Sequence, residues 1–255
     1  MFKTTLLACA ALTACASASM AAPVLVNGGF ESSSYASNTE FGTRFGGQGV
    51  TGWAGTGYAL YFFGGTQATT TANTEYAPGA TQEYFRPNVT TSPNGGNFVA
   101  LDGDSSFQGG TAATPGATIS QQVTGLTAGL QYDVSFYWAG TQLLNRSGPT
   151  TEQLEVTFGN STAFTPVVSE PSGGFSGWMG QTYRFTASAA SQTLSFLSFG
   201  TPSGLPPISL LDGVTVQQSI PEPASWALVG TALLGAGLLA TRRTGRGRVL
   251  PGAAA

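Results

Sequence analysis

The sequence predicts an all-β chain: a single jelly-roll β-sandwich, with an N-terminal signal peptide and a single C-terminal transmembrane helix. Three observations predict it. Apolar and polar residues alternate over many short stretches between 119 and 216, the period of half-buried strands. Clusters of Gly, Pro, Ser, Thr and Asn separate those stretches, and no soluble amphipathic helix interrupts them. The two ends differ sharply in composition from the middle.

Residues 1–22 form the first element. Lys3 gives a positive start, Leu6 to Leu12 a short apolar stretch, and small residues follow up to Ala21 and Ala22. This is the layout of a secretory signal peptide cut by signal peptidase near Ala21 or Ala22. A rival reading takes Leu12-Thr13-Ala14-Cys15 as a lipobox, with Cys15 as a lipidated N-terminus.

The middle element, 23–219, contains eleven acidic and four basic residues, net −7, with no lysine, cysteine or histidine. Both cysteines of the chain, Cys9 and Cys15, lie in the signal segment, so the domain is expected to fold without a disulfide. No histidine excludes Ser-His-Asp triads, Cys-His pairs and His-ligated metals. The acidic balance argues against nucleic acid. Tyr132, Val134, Phe136 and Trp138 share one face of a strand, with Asp133, Ser135 and Tyr137 on the other. Stretches 119–123, 154–158 and 183–185 repeat the pattern, and 194–199 and 210–216 read as further strands. Many short strands with turn signals argue for a sandwich or jelly roll. The Gly- and Thr-rich segment 36–96 is expected to hold long loops.

The last element is 220–248, with 249–255 as a tail. Pro221-Glu222-Pro223 is followed by residues 224–240 without a charge, then by Arg242, Arg243, Arg246 and Arg248. Seventeen residues reach the lower limit for crossing a ~30 Å hydrocarbon core. The arginines predict a cytoplasmic end.

Two resemblances follow from these residues. Pro221-Glu222-Pro223-Ala224-Ser225-Trp226, the short apolar span and the arginine cluster resemble the PEP-CTERM sorting signal of exopolysaccharide-producing Gram-negative bacteria. The resemblance implies an exosortase as processing partner, with sorting residues Pro221, Glu222, Pro223, Arg242 and Arg243. It also implies an inner-membrane-anchored precursor, then a place at the cell surface or in the extracellular matrix. Leu25-to-Glu31, Asn97-to-Gly103, Ile119-to-Leu126 and Leu210-to-Val216 are similar, in order, to galactose-binding-domain-like jelly rolls, which include many carbohydrate-binding modules. That similarity implies one sandwich with its first and last strands adjacent.

In such modules a Glu after the opening Asn-Gly-x-Phe and an Asp in the closing strand help hold a structural calcium ion. Here these are Glu31 and Asp212, and calcium is the one cofactor implied. Asp212 falls on the alternation face of Leu210 and Val214, which points it inward. The alternative is a carboxylate bonded to backbone amides at a bulge made by Gly213. Trp53, Trp178 and Tyr58 are candidates for stacking on sugar rings; for the tryptophans the alternative is core packing. Asp102 and Asp104 in Leu-Asp-Gly-Asp-Ser read as a solvated acidic turn or a loose cation site. Glu152 and Glu155 fall on opposite faces of one strand and so do not form a glycosidase pair. The expected protein is non-enzymatic and extracytoplasmic, and binds or scaffolds polysaccharide. The competing classes are a carboxylate-dependent glycan hydrolase and a matrix component without a discrete ligand.

Overall fold

The computed structural model describes residues 22–34, 39–40, 49–57, 60–63, 71–74, 77–83, 89–104, 116–142, 146–205 and 207–219. Residues 1–21 and Tyr58 lie outside this set, as does everything from 220 onward, including Pro221, Glu222, Pro223, the span at 224–240, Arg242 and Arg243. Among the described residues no helix is long and apolar enough to cross a membrane. The chain divides by contacts after Gln218, and the fold described here is that of the first unit.

Its strands are β1 (Thr39–Glu40), β2 (Ala54–Thr56), β3 (Leu60–Phe63), β4 (Thr71–Thr74), β5 (Ala77–Glu83), β6 (Phe98–Asp102) and β7 (Thr118–Val123). They continue with β8 (Gln131–Gln142), β9 (Thr150–Phe158), β10 (Ser161–Phe164), β11 (Val168–Glu170), β12 (Met179–Thr186), β13 (Gln192–Thr201) and β14 (Pro207–Gln218). One sheet runs β1-β3-β6-β14-β8-β12; the other runs β10-β9-β13-β7-β2, with β11 also on β9. β4 and β5 pair only with each other. From β6 onward the chain crosses between the sheets except at β9, β10 and β11, which stay together in the second sheet, so most other neighbours within a sheet are distant in sequence. The expected strands are all present. The segment 36–96 departs from expectation: it holds five short strands where long loops were read. Its Gly and Thr content hid them, because short strands there lack the apolar alternation that signals a strand.

The core follows from period 2. Tyr132, Val134, Phe136 and Trp138 of β8 are buried against Leu154, Val156 and Phe158 of β9 and Leu194 and Phe196 of β13. Phe196 sits at the centre. Its ring meets Phe136 edge-on at 5.0 Å and Trp53 at 6.4 Å, and Trp53 meets Phe30 at 5.2 Å. This chain of rings ties both sheets to the opening segment.

The opening segment itself is no strand. It holds to β7 by a bridge between Val24 and Thr124 and by the Gln121 amide, which bonds Val26 N and O at 2.6 and 2.8 Å. It reaches the closing strand through one bond, Val214 N to Gly28 O at 2.8 Å. First and last segments are therefore in contact, but not as paired strands.

A β-bulge in β14 shifts its register between Asp212 and Thr215, with Gly213 at φ +60°. This corrects the reading of Asp212. Leu211, Val214 and Val216 face the core. Asp212 instead shares the opposite face of the first sheet with Ile208 and Leu210, because alternation restarts at the bulge. That outer face is also buried: Phe98, Ala100, Ile208 and Leu210 are fully covered.

Replacing Phe196 by Ala is expected to cost about 3–5 kcal/mol of unfolding free energy, read as a lower urea midpoint at unchanged m-value. Ser195→Ala, on the outward face of the same strand, is expected to stay within about 0.5 kcal/mol of wild type.

Candidate functional site

The opening loop builds the first site. Asn27 and Phe30 adopt left-handed backbone angles, φ 54° and 57°. Such angles are uncommon for residues with a Cβ, and here side-chain bonds and burial hold them. Asn27 accepts from Ser32 N at 2.9 Å and donates to Ser32 O and Thr51 O. Its carbonyl accepts from Trp53 Nε1 at 2.9 Å. With Phe30 pinned in the core, Glu31 turns outward and accepts from Asn97 N at 2.9 Å.

Asp212 lies nearby. It is 0% exposed, and its Oδ1 accepts from Gly213 N at 2.5 Å and Asn94 Nδ2 at 3.4 Å. Its Oδ2 has no hydrogen-bond partner. Burial pushes the Asp212 carboxyl up to about 7; the Ser92, Gly213 and Asn94 donors oppose the rise and the Glu31 charge adds to it. The structure thus brings together the two carboxylates singled out in the sequence. It also shows the bulge-and-amide arrangement that the alternative reading described. The donor set is all oxygen, with one orphaned carboxylate oxygen, and this suits a hard divalent cation.

The tryptophans are placed by their neighbours. Trp53 is 3% exposed, and Phe30 and Phe196 cover the faces it would offer a sugar. Trp178 is half-buried, packs edge-on against Phe98 at 5.5 Å, and donates to Thr90 O at 2.9 Å. It closes over the outer face of the first sheet. Tyr58 lies outside the described residues.

Asp102 and Asp104 are not solvated: both are buried, at 2% and 0% exposed. Asp102 Oδ1 accepts from Asp104 N at 2.7 Å, and Asp104 Oδ2 accepts from Gly204 N at 2.6 Å. They lock one loop onto another. Burial raises the Asp102 carboxyl to about 8, the Asp104 amide opposes this, the Asp104 charge adds, and Arg146 opposes. Glu152 faces the core and is 0% exposed, whereas Glu155 faces outward, so the two do not converge. Burial raises the Glu152 carboxyl to about 8, with Thr150 opposing and Glu170 adding. Among the described residues no three His, Cys, Asp or Glu side chains gather around one point.

Sequence reasoning missed a cleft of about 530 Å³ at the β2 edge of the second sheet. Thr51, Gly52, Ser120, Gln122 and Thr193 line it, with Trp53 also in its wall. Gln122 is held by Ser191 and Thr193 at 2.5 and 3.1 Å. Among the described residues its lining carries no charge. Beyond the cleft the outward face of β13 continues from Thr193 through Ser195, Leu197 and Phe199, paired with Thr157, Glu155 and Gln153 of β9, so that part of the face carries a carboxylate. Only strand pairing assembles this set, so no local motif announces it.

Residues 219–243 match the family model described as the PEP-CTERM protein-sorting motif. The chain carries a PEP-CTERM motif. Pro221, Glu222, Pro223, Arg242 and Arg243 all fall within the matched stretch. No curated protein sequence matches the chain. Among solved structures, the fold resembles TmCBM61 in complex with beta-1,4-galactotriose, at 16% identity and TM-score 0.39, covering 76% of this chain and 97% of that one. It also resembles the K1 cleaved adhesin domain of Lys-gingipain from Porphyromonas gingivalis, at 14% identity and TM-score 0.36, covering 75% and 96%. The CBM22-1 xylan-binding domain of Paenibacillus barcinonensis Xyn10C aligns at 12% identity and TM-score 0.34, covering 74% and 95%.

The buried carboxyls set a pH dependence. Their folded values, about 8 for Asp102 and Glu152 and about 7 for Asp212, lie above the unfolded range near 4. Between those limits the native state holds protons that the unfolded chain has lost. Their stabilisation is therefore complete below about pH 4 and lost as pH rises toward 8. In chelator, Tm is expected to fall between pH 5 and pH 8.5. Glu152→Gln is expected to melt above wild type at pH 8.5 and to match it at pH 4; a wild-type Tm rising over this range would contradict the assignment.

Proposed function

We propose that this is an exported, exosortase-processed, non-enzymatic protein of the cell surface or extracellular matrix that binds a neutral glycan. The observation that carries the binding reading is the uncharged cleft at the β2 edge. Hydroxyls and amides that accept and donate without charge match sugar hydroxyls, and the exposed Ala54 in the lining adds a small apolar surface for sugar C–H faces. A net charge of −7 over 23–219 disfavours polyanionic glycans. The PEP-CTERM motif supports export and sorting, through an inner-membrane-anchored precursor with 224–240 as the span. Glu31 and Asp212 would hold a calcium ion at the junction of the opening loop and β14, and that ion would stiffen the junction.

Two measurements test this. On a glycan array the protein is expected to bind neutral glycans in preference to sulfated or uronic acid-rich ones. Gln122→Ala is expected to weaken binding about tenfold, the effect of about 1.4 kcal/mol, with unchanged Tm. Absence of binding to any glycan, with and without calcium, would favour the matrix component without a discrete ligand. Mass spectrometry of the secreted protein is expected to find the C-terminus near Pro221–Pro223. Product that retains 224–240 would remove the exosortase step, and an N-terminus at a lipidated Cys15 would replace the Ala21 or Ala22 cut.

A further inference from the structure

At one end of the sandwich the space between the sheets turns polar. Ser198 Oγ donates to Ser209 Oγ across it at 2.9 Å. Thr150 and Glu152 continue the inward face of β9 beyond Leu154. On β11, Glu170 stands directly opposite Thr150 and Val168 opposite Glu152. Directly paired residues of antiparallel strands share a face, so Glu152, Thr150 and Glu170 present three oxygen-bearing side chains to one place. Glu152 is fully buried and neither of its carboxylate oxygens has a hydrogen-bond partner. Thr150, 2% exposed, has an equally unpartnered Oγ1. Both groups are out of water and side by side: the Thr150 hydroxyl is near enough to lower the Glu152 carboxyl, yet no hydrogen bond of full geometry reaches either carboxylate oxygen.

The surroundings keep that point open. A Cβ at Gly140 would lie 2.8 Å from Glu152 Oε2, and one at Gly174 would lie 2.5 Å from Glu170 Oε2. Glycine at both positions leaves room for the carboxylates and exposes backbone to them. Glu170 is only partly buried, which leaves a path from solvent. An isolated buried carboxylate is costly, and it is retained where a cation or a set of donors meets it. The Thr150 hydroxyl beside Glu152 makes no hydrogen bond of full geometry to it. Two carboxylates and a hydroxyl make an all-oxygen set of the kind calcium takes, completed by water.

We infer that Glu152, Glu170 and the Thr150 hydroxyl form a calcium site between β9 and β11. This site is separate from Glu31 and Asp212, which lie on the outer face of the other sheet, and it does not rest on the glycan-binding reading. A bound ion would staple β11 to β9 and so fix the start of the 171–178 loop. That loop already bonds β8, through Gly173 N to Gln142 Oε1 at 3.0 Å and Ser176 N to Gly140 O at 3.0 Å, and it carries Trp178. The ion would act on the cover of the first sheet through this loop. Affinity is expected in the range of extracellular modules, about 10⁻⁴–10⁻³ M.

Calcium counting on the full chain, by equilibrium dialysis with radioactive calcium after chelator treatment, tests the site. Glu152→Gln and Glu170→Gln are each expected to hold one ion fewer than wild type. Asp212→Asn loses a different ion if the Glu31–Asp212 reading holds, and Glu152→Gln combined with Asp212→Asn then loses two. If only that other reading fails, Asp212→Asn keeps the wild-type count while Glu170→Gln still loses one. Glu170 sits at the rim, so its variant decides the matter should Glu152→Gln not fold. Wild-type counts in the folded Glu152 and Glu170 variants would overturn the inference and leave a proton as the occupant of Glu152.

Discussion

The contact on which the sandwich depends is the run of rings Phe136–Phe196–Trp53–Phe30. Phe136 belongs to the first sheet, Phe196 to the second, Trp53 to the turn before β2 and Phe30 to the opening loop. Large aromatic side chains carry more buried area than any other residue type, and these four join parts of the chain that share no strand pairing. Phe30 accepts a left-handed backbone to reach its place. That backbone aims Glu31 at Asn97, so the geometry of the Glu31–Asp212 junction is a consequence of core packing.

The two sheets are used differently because their outer faces are covered differently. On the first sheet, Phe98, Ala100, Ile208 and Leu210 are buried on the side away from the core, with Trp178 packed on Phe98. On the second sheet, the outward residues Gln122 and Thr193 are exposed, and Ser195, Leu197 and Phe199 are half-exposed. Over β6 and the start of β14 the first sheet's outer face serves as a second, smaller interior, with Asp102 and Asp212 buried in it, whereas Tyr137, Thr182 and Arg184 of β8 and β12 leave the rest of that face exposed.

Much of the architecture was legible along the chain. The alternation at 132–138 and 154–158 located the central strands, because period 2 is a local property that needs no partner to be read. Pro221-Glu222-Pro223, the uncharged span and the arginines are consecutive, and the motif match covers them as far as Arg243. The acidic residues were not legible in this way. Asp102 and Asp104 look like any polar turn, yet the 202–205 loop buries them from about a hundred residues downstream. Asp212 was grouped with both Leu210 and Val214; a single bulge separates it from Val214 while leaving it buried beside Leu210. Trp53 left sugar stacking and core packing both open along the chain, and the positions of Phe30 and Phe196 decide for core.

By itself, then, the sequence determined the strand pattern, the absence of histidine, lysine and cysteine from the domain, and the sorting motif. Each is a property of composition or of residues adjacent in the chain. Only the tertiary structure decided which carboxylates are withdrawn from water, which sheet face stays open, and that an uncharged cleft forms at the β2 edge. The physical reason is that burial and strand register depend on contacts between segments far apart in sequence. Glu152 and Glu155, three residues apart, show this: one lies unpartnered between the sheets, the other faces outward.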